Sequence, residues 1–366
     1  MKKKLFSLAA CACALALGGA LLAGCSSNAA SSASGSASAE SYEPLSIAYL
    51  NKGGYEDIIV ADNQGFYKDC GPEITLNPVT GSGAQSVEAL LSGASDIAAT
   101  GQGPVADALK NYGDRIVVLA GTNISTGGQV WVAGAGMTGD KALVPFDKAK
   151  DNKAEVAASF QSAAAANGGT IKCGVQKGAT TESEFKLWLK KMGISFNDFG
   201  TEGDGVVTLV DLKANTIPTA LVSGDIDMMA ASQPYPDTAL KQIDGSYKVG
   251  CNADVDSYGV AMLITTKEVY EQKEASIKAF LQAEKKSVDF MNSNADEAMK
   301  ICADSIGTDL DAQKATWGIA NFRVDMSDQK ISTLKATCAK KGLEITEEQL
   351  KAQAPLAQWC EDALNK

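Results

Sequence analysis

Short apolar runs alternate with helical segments along most of this chain, and the pattern begins again once part-way through. In the first series, residues 45–50, 74–76, 95–100, 115–120 and 129–133 read as strands. Between them, residues 55–67, 84–92 and 104–111 carry helical apolar spacing, and Pro104 falls in a first turn where its missing N–H does no harm. The second series sets helices at 152–167, 181–192, 214–223 and 235–242 against strands at 170–175, 206–210 and 226–230. Residues 258–265 read as one more strand, and everything beyond them reads as helical. Strands and helices in alternation specify an α/β fold with largely parallel sheets. Two such series in a chain too long for one hydrophobic core predict two lobes with a cleft between them.

The N-terminus belongs to neither lobe. Lys2, Lys3 and Lys4 precede an apolar stretch over residues 5–22, closed by Leu22-Ala23-Gly24-Cys25. That is the layout of a secretory signal, and its ending resembles a bacterial lipobox, which implies cleavage before Cys25 and acylation of that residue. Residues 25–41 are dominated by Ser and Ala and read as a flexible tether behind the anchor. Removing 24 of the 366 residues leaves 342, and losing three lysines takes the net charge from −11 to −14. A surface so acidic argues against nucleic acid as a partner. The chain has no histidine, which excludes serine-type triads, His-ligated metals and imidazole acid–base chemistry. Cys70, Cys173, Cys251, Cys302, Cys338 and Cys360 form no C-x-x-C pair, so zinc is not indicated. In an exported chain these six predict at least one disulfide, with the pairing open.

Gly81-Ser82-Gly83, Gly101-Gln102-Gly103 and Gly178-Ala179-Thr180-Thr181 each lie between a strand and a helix. Such loops aim free backbone N–H groups and the positive helix end at one place. The segments from Gly81 and from Ile217 share a helix, a Ser-Gly cap at Gly93 or Gly224, then Asp and an apolar strand. Together with Thr100-Gly-Gln-Gly-Pro104, Lys177-Gly-Ala-Thr-Thr181 and Ser232-Gln-Pro-Tyr235, these segments resemble the nitrate/sulfonate/taurine class of ABC-transporter substrate-binding proteins. The resemblance runs from about residue 45 to 302 and weakens between 134 and 168.

That resemblance implies a type II periplasmic-binding-protein-like fold: two lobes, two crossover strands, and C-terminal helices packed on one lobe. Residues 42–133 with 258–366 would form the first lobe and residues 134–257 the second. Tyr55, Ser82, Gln102, Thr180, Thr181, Gln233 and Tyr235 are the expected ligand-binding residues. Ser82 and Thr180 are equally good N-caps, and Tyr55, Trp131 and Tyr235 serve as cleft walls or as core. Glu182 reads as a first-turn helix acid, and Asp204 is a second acid near the same loop. Neither arginine, Arg115 nor Arg323, falls in a cleft loop, whereas Lys52 and Lys177 do.

The expected function is capture of a small organic anion outside the cell and delivery to the permease and ATPase of an importer. A neutral or aromatic heterocycle is the alternative ligand. A membrane-anchored monomer without cofactor or metal is expected. An enzyme on the same fold would need a nucleophile and base or paired cleft carboxylates, and only Glu182 and Asp204 are on offer.

Overall fold

The strand runs assemble into two separate six-stranded sheets. The computed structural model describes residues 41–150 and 152–364; the signal segment, Cys25 and all but the last tether residue lie outside them. In chain order the elements of the first series are β1 (Leu45–Tyr49), α1 (Glu56–Asn63), β2 (Ile74–Pro78), α2 (Gly83–Leu91), β3 (Ile97–Gly101), α3 (Gln102–Tyr112) and β4 (Ile116–Thr126). The second series holds β5 (Gln129–Ala133), α4 (Lys153–Ala166), β6 (Ile171–Val175), α5 (Thr180–Met192), β7 (Phe196–Asn197), β8 (Val207–Asp211), α6 (Ile217–Ser223), β9 (Met228–Ser232), α7 (Tyr235–Gln242) and β10 (Tyr247–Cys251). The chain then continues through β11 (Tyr258–Thr266), α8 (Lys267–Ser293), α9 (Ala295–Ile306), α10 (Leu310–Ile319), β12 (Ala320–Asp325), α11 (Asp328–Lys340) and α12 (Glu347–Ala352).

The first sheet runs β2-β1-β3-β11-β4-β12 and the second β7-β8-β6-β9-β5-β10. In the first sheet β1, β2 and β3 lie parallel, in the second β6, β7, β8 and β9 do, and antiparallel strands close one side of each. Both sheets are covered by apolar clusters on both faces, which is why their central strands read as continuous hydrophobic runs. In β4, Ile116 to Ile124 are all buried, and the strand pairs with β11 along its whole length.

Three expectations are corrected. Strand β5, expected in the first lobe, pairs instead with β9 and β10 in the second sheet. The first passage between sheets therefore falls at Gly127–Gly128, where Gly127 has φ +76°, and not after residue 133. An apolar run fits either sheet; Trp131 decides, packing against Phe185 and Trp188 at ring distances of 4.9 and 6.4 Å. The tail is not all helical: β12 joins the edge of the first sheet with Phe322 and Val324 inward and Asn321 and Arg323 outward. Finally, the six cysteines of the described chain form no disulfide with one another, and five of them are buried as small apolar groups.

The two passages, 127–128 and 252–257, are tied together by Asn252, which is fully buried. Its Oδ1 accepts from the Gln129 backbone N–H at 3.2 Å, and its Nδ2 donates to the Ser257 carbonyl at 2.9 Å. Asn252→Ala strands one partner in each passage. It should lower unfolding free energy by about 2–4 kcal/mol, measured by urea denaturation. An unchanged midpoint would show that water replaces the amide.

Candidate functional site

The loops that follow β1, β3, β6 and β9 open onto one cavity between the sheets, with an empty volume of about 740 Å³ including its open mouth. From the first sheet come Lys52 to Glu56 ahead of α1, Gly83 in α2, and Gly101, Gln102 and Pro104 at α3. The second contributes Ala179, Thr180 and Thr181 at α5, with Ser232 and Gln233 after β9. Asn123, Ser125, Gly128, Gln129 and Gly259 to Ala261 form the floor along the passages, and Thr316, Ile319 and Ala320 complete the wall.

Helices α3 and α5 start at Gly101 and Ala179 with extended N-cap backbones and no side-chain cap. Their first-turn N–H groups are thus left to whatever lies in front of them, apart from Gly103 N–H, which reaches Thr180 Oγ1 at 3.4 Å. Lys52 is the one basic side chain of this lining among the described residues. It is half-buried without an ion-pair partner, and burial pushes its pKa down to about 8. Glu56 is fully buried; burial, reinforced by Asp57, pushes its carboxyl up to about 7. Behind it Asp57 and Glu284 are both raised by burial, and Tyr67 donates its hydroxyl to Glu284 Oε1.

The lobes are in contact across the cleft. Gln176 Nε2 donates to the Gly81 carbonyl at 2.5 Å, and Lys340 Nζ lies 3.5 Å from Glu184 Oε1. At Gly53 and Gly101 the approach leaves no room for a side chain. A Cβ would sit 2.1 Å from the Gln233 carbonyl oxygen in the first case and 2.3 Å from Thr180 Oγ1 in the second.

Of the residues expected at the site, Tyr55, Gln102, Thr180, Thr181 and Gln233 line the cavity. Both polar atoms of Gln102 are occupied by β11, with Nε2 on the Tyr258 carbonyl (2.7 Å) and Oε1 on the Val260 N–H (2.8 Å). Thr181 donates its hydroxyl to Gln129 Oε1. Ser82 and Tyr235 are not in the lining. Ser82 is the N-cap of α2, its N–H held by Gln85 Oε1, and Tyr235 packs in the core with Val130, Val132 and Ile243. Trp131 is core as well. Glu182 accepts from Gly178 N–H at 2.6 Å and pairs with Lys186, as a first-turn acid does, and Asp204 is exposed. Lys177 turns away, 5.7 Å above the Phe199 ring. Sequence reasoning missed Glu56, Asn123, Gln129, Thr316 and Ile319. The contribution of Glu56 depends on its burial in the packed lobe, and that of α10 on how the tail packs.

The NMT1-like family model matches residues 38–305. The chain belongs to that family. Compared by sequence, no curated protein matches it. The NMT1-like chain shares its fold with the alkanesulfonate-binding protein SsuA from Xanthomonas axonopodis pv. citri bound to MOPS. That similarity has a TM-score of 0.64 and 14% identity over 86% of this chain and 99% of that one. The aliphatic sulphonate binding protein SsuA from Escherichia coli is similar at TM-score 0.60 and 16% identity, over 86% and 92% of the two chains. The nitrate-binding protein NrtA from Synechocystis PCC 6803 gives 0.63 and 14%, over 88% and 90%. The NMT1-like chain thus has the two-lobed α/β fold of periplasmic binding proteins.

Proposed function

We propose that this chain is the lipid-anchored, extracytoplasmic receptor of an ABC importer, and that it closes its lobes on a small organic anion. The observation that carries this reading is the cleft itself: uncapped first turns of α3 and α5, one from each lobe, share a cavity with a single unpaired lysine. Helix N-termini and an ammonium favour negative charge without needing a guanidinium clamp. The ligands that name the structural neighbours, alkanesulfonates and nitrate, are anions too. Tyr55, Thr180, Thr181 and Gln233 are the proposed side-chain contacts. The lipobox reading of Cys25 supplies the anchor, and the permease and ATPase are the proposed partners. Catalysis is disfavoured because the chain has no histidine, and the buried cleft acid Glu56 is held by the Gly54 N–H with no base or nucleophile paired to it.

The test is a melting-temperature screen of the purified mature domain against alkanesulfonates, taurine, nitrate, pyrimidines and polyamines. A ligand at about 100 times its Kd should add roughly 2.7 kcal/mol of stability, seen as a rise of several degrees. A response to polyamines alone would sink the anion reading.

A further inference from the structure

Outside the cavity, the segment after residue 305 ties the two lobes together with ion pairs at two places. Helix α11 packs in the first lobe through Ile331, Leu334 and Cys338. Nζ of Lys340, its last residue, nevertheless lies 3.5 Å from Glu184 Oε1 on α5 of the second lobe. The same ammonium donates to Ser257 Oγ at 3.2 Å, in the second passage between the sheets. Glu184 follows Thr180 by one turn of α5, and neither Glu184 nor Lys340 lines the cavity. At the second place Asp309, the N-cap of α10, and Asp311 in its first turn hold Lys241 of α7 at 3.2 and 3.4 Å.

The two places differ in burial. Lys241, Asp309 and Asp311 are all exposed, and ion pairs of that kind contribute little and are screened by salt. The Glu184 side chain is 1% exposed, and its Oε2 has no partner among the described residues. Because Glu184 meets α11 of the first lobe, parting the lobes returns its carboxylate to water. Closing them removes that water and leaves Lys340 to balance the charge. A paired carboxylate tolerates such burial, whereas an unpaired one opposes it strongly. We propose that the segment after residue 305 carries an interlobe clasp, Lys340 on Glu184 with Lys241 on α10 as a weaker second point, which stabilises the closed arrangement without help from a solute. The clasp lies outside the cavity, so it acts on closure whatever the solute is, and it does not depend on the receptor reading.

Small-angle X-ray scattering from the ligand-free mature protein tests it. Lys340→Met leaves Glu184 to be buried unpaired and should move the closed-to-open ratio about a hundredfold toward open, seen as a larger radius of gyration. Adding Glu184→Gln on the other lobe removes the unpaired charge and should bring the radius back to the wild-type value. A lysine that merely helps the first lobe to fold would show no such rescue. If Lys340→Met does not fold, Glu184→Lys serves, since it sets two ammonium groups against each other only when the lobes close and should open the protein likewise. A radius unchanged in Lys340→Met and in Glu184→Lys would overturn the clasp. So would an opening in Lys340→Met that Glu184→Gln leaves in place.

Discussion

Gly53→Ala should leave the ligand-free protein folded and weaken solute capture by about 100-fold or more, close to 3 kcal/mol. The residue sits where the first lobe meets the backbone of Gln233 and Pro234. A Cβ there would lie 2.1 Å from the Gln233 carbonyl oxygen and 2.8 Å from Pro234 Cδ. A backbone carbonyl cannot swing aside as a side chain can, so the added methyl has to hold the lobes apart. With the cleft held open, helix N-termini and Lys52 act in water, where electrostatic attraction is weak. The ligand-free melting temperature should change little, because Gly53 does not need a left-handed backbone and lobes that swing apart would relieve the clash. Titration calorimetry with whichever solute passes the melting screen reads the affinity. Wild-type affinity in Gly53→Ala would mean that capture does not require this closed arrangement.

Asp325→Ala should lower unfolding free energy by about 3–5 kcal/mol, more than the loss expected for Asn252→Ala. Lys330 and Asp325 form an ion pair of 2.7 Å with both side chains only 2% exposed. The ammonium also donates to the Gly121 carbonyl at 2.8 Å and the Arg323 carbonyl at 2.5 Å, stitching β12 to β4. Removing the carboxylate leaves a buried cation facing carbonyls alone. Removing both charges, in Asp325→Leu with Lys330→Met, should recover most of the loss, because apolar groups fit a desolvated site at no electrostatic penalty. Urea unfolding of the three proteins decides it. A single variant as stable as wild type would place the pair in contact with water.

The two sheets were legible because α/β alternation is written at short range. Periodicity, glycine caps and β-branched runs located most of the helices and strands. Long-range pairing was less accessible. Nothing local to Gln129–Ala133 says which sheet it enters, and only the partners of Trp131 settle it. Strand β12 shows two inward apolar residues alternating with polar ones, a weak signal against the helical pattern on either side. Strand β10 is likewise a short run whose pairing with β5 is decided by tertiary contact. The loop chemistry pointed to Tyr55, Thr180, Thr181 and Gln233, which line the cavity, since Gly-rich turns before helices are sequence patterns. Ser82 and Tyr235 lie outside that lining, because capping and core packing use the same residue types as recognition. Glu56 was passed over because an acid in a first helical turn ordinarily faces solvent; its complete burial is a property of the packed lobe.

The family match ends at residue 305, yet Thr316, Ile319 and Ala320 reach the cleft wall. Just ahead of them, Asp309 and Asp311 meet Lys241 of α7 at 3.2 and 3.4 Å, reaching across to the other lobe. Part of the cleft wall is therefore drawn from outside the stretch that the family model matches. Changes confined to α10 and the start of β12 should reshape that wall while leaving the loops ahead of α1, α3 and α5 in place. Chimeras that trade only the segment after residue 305 between relatives are the natural way to move specificity from one to another.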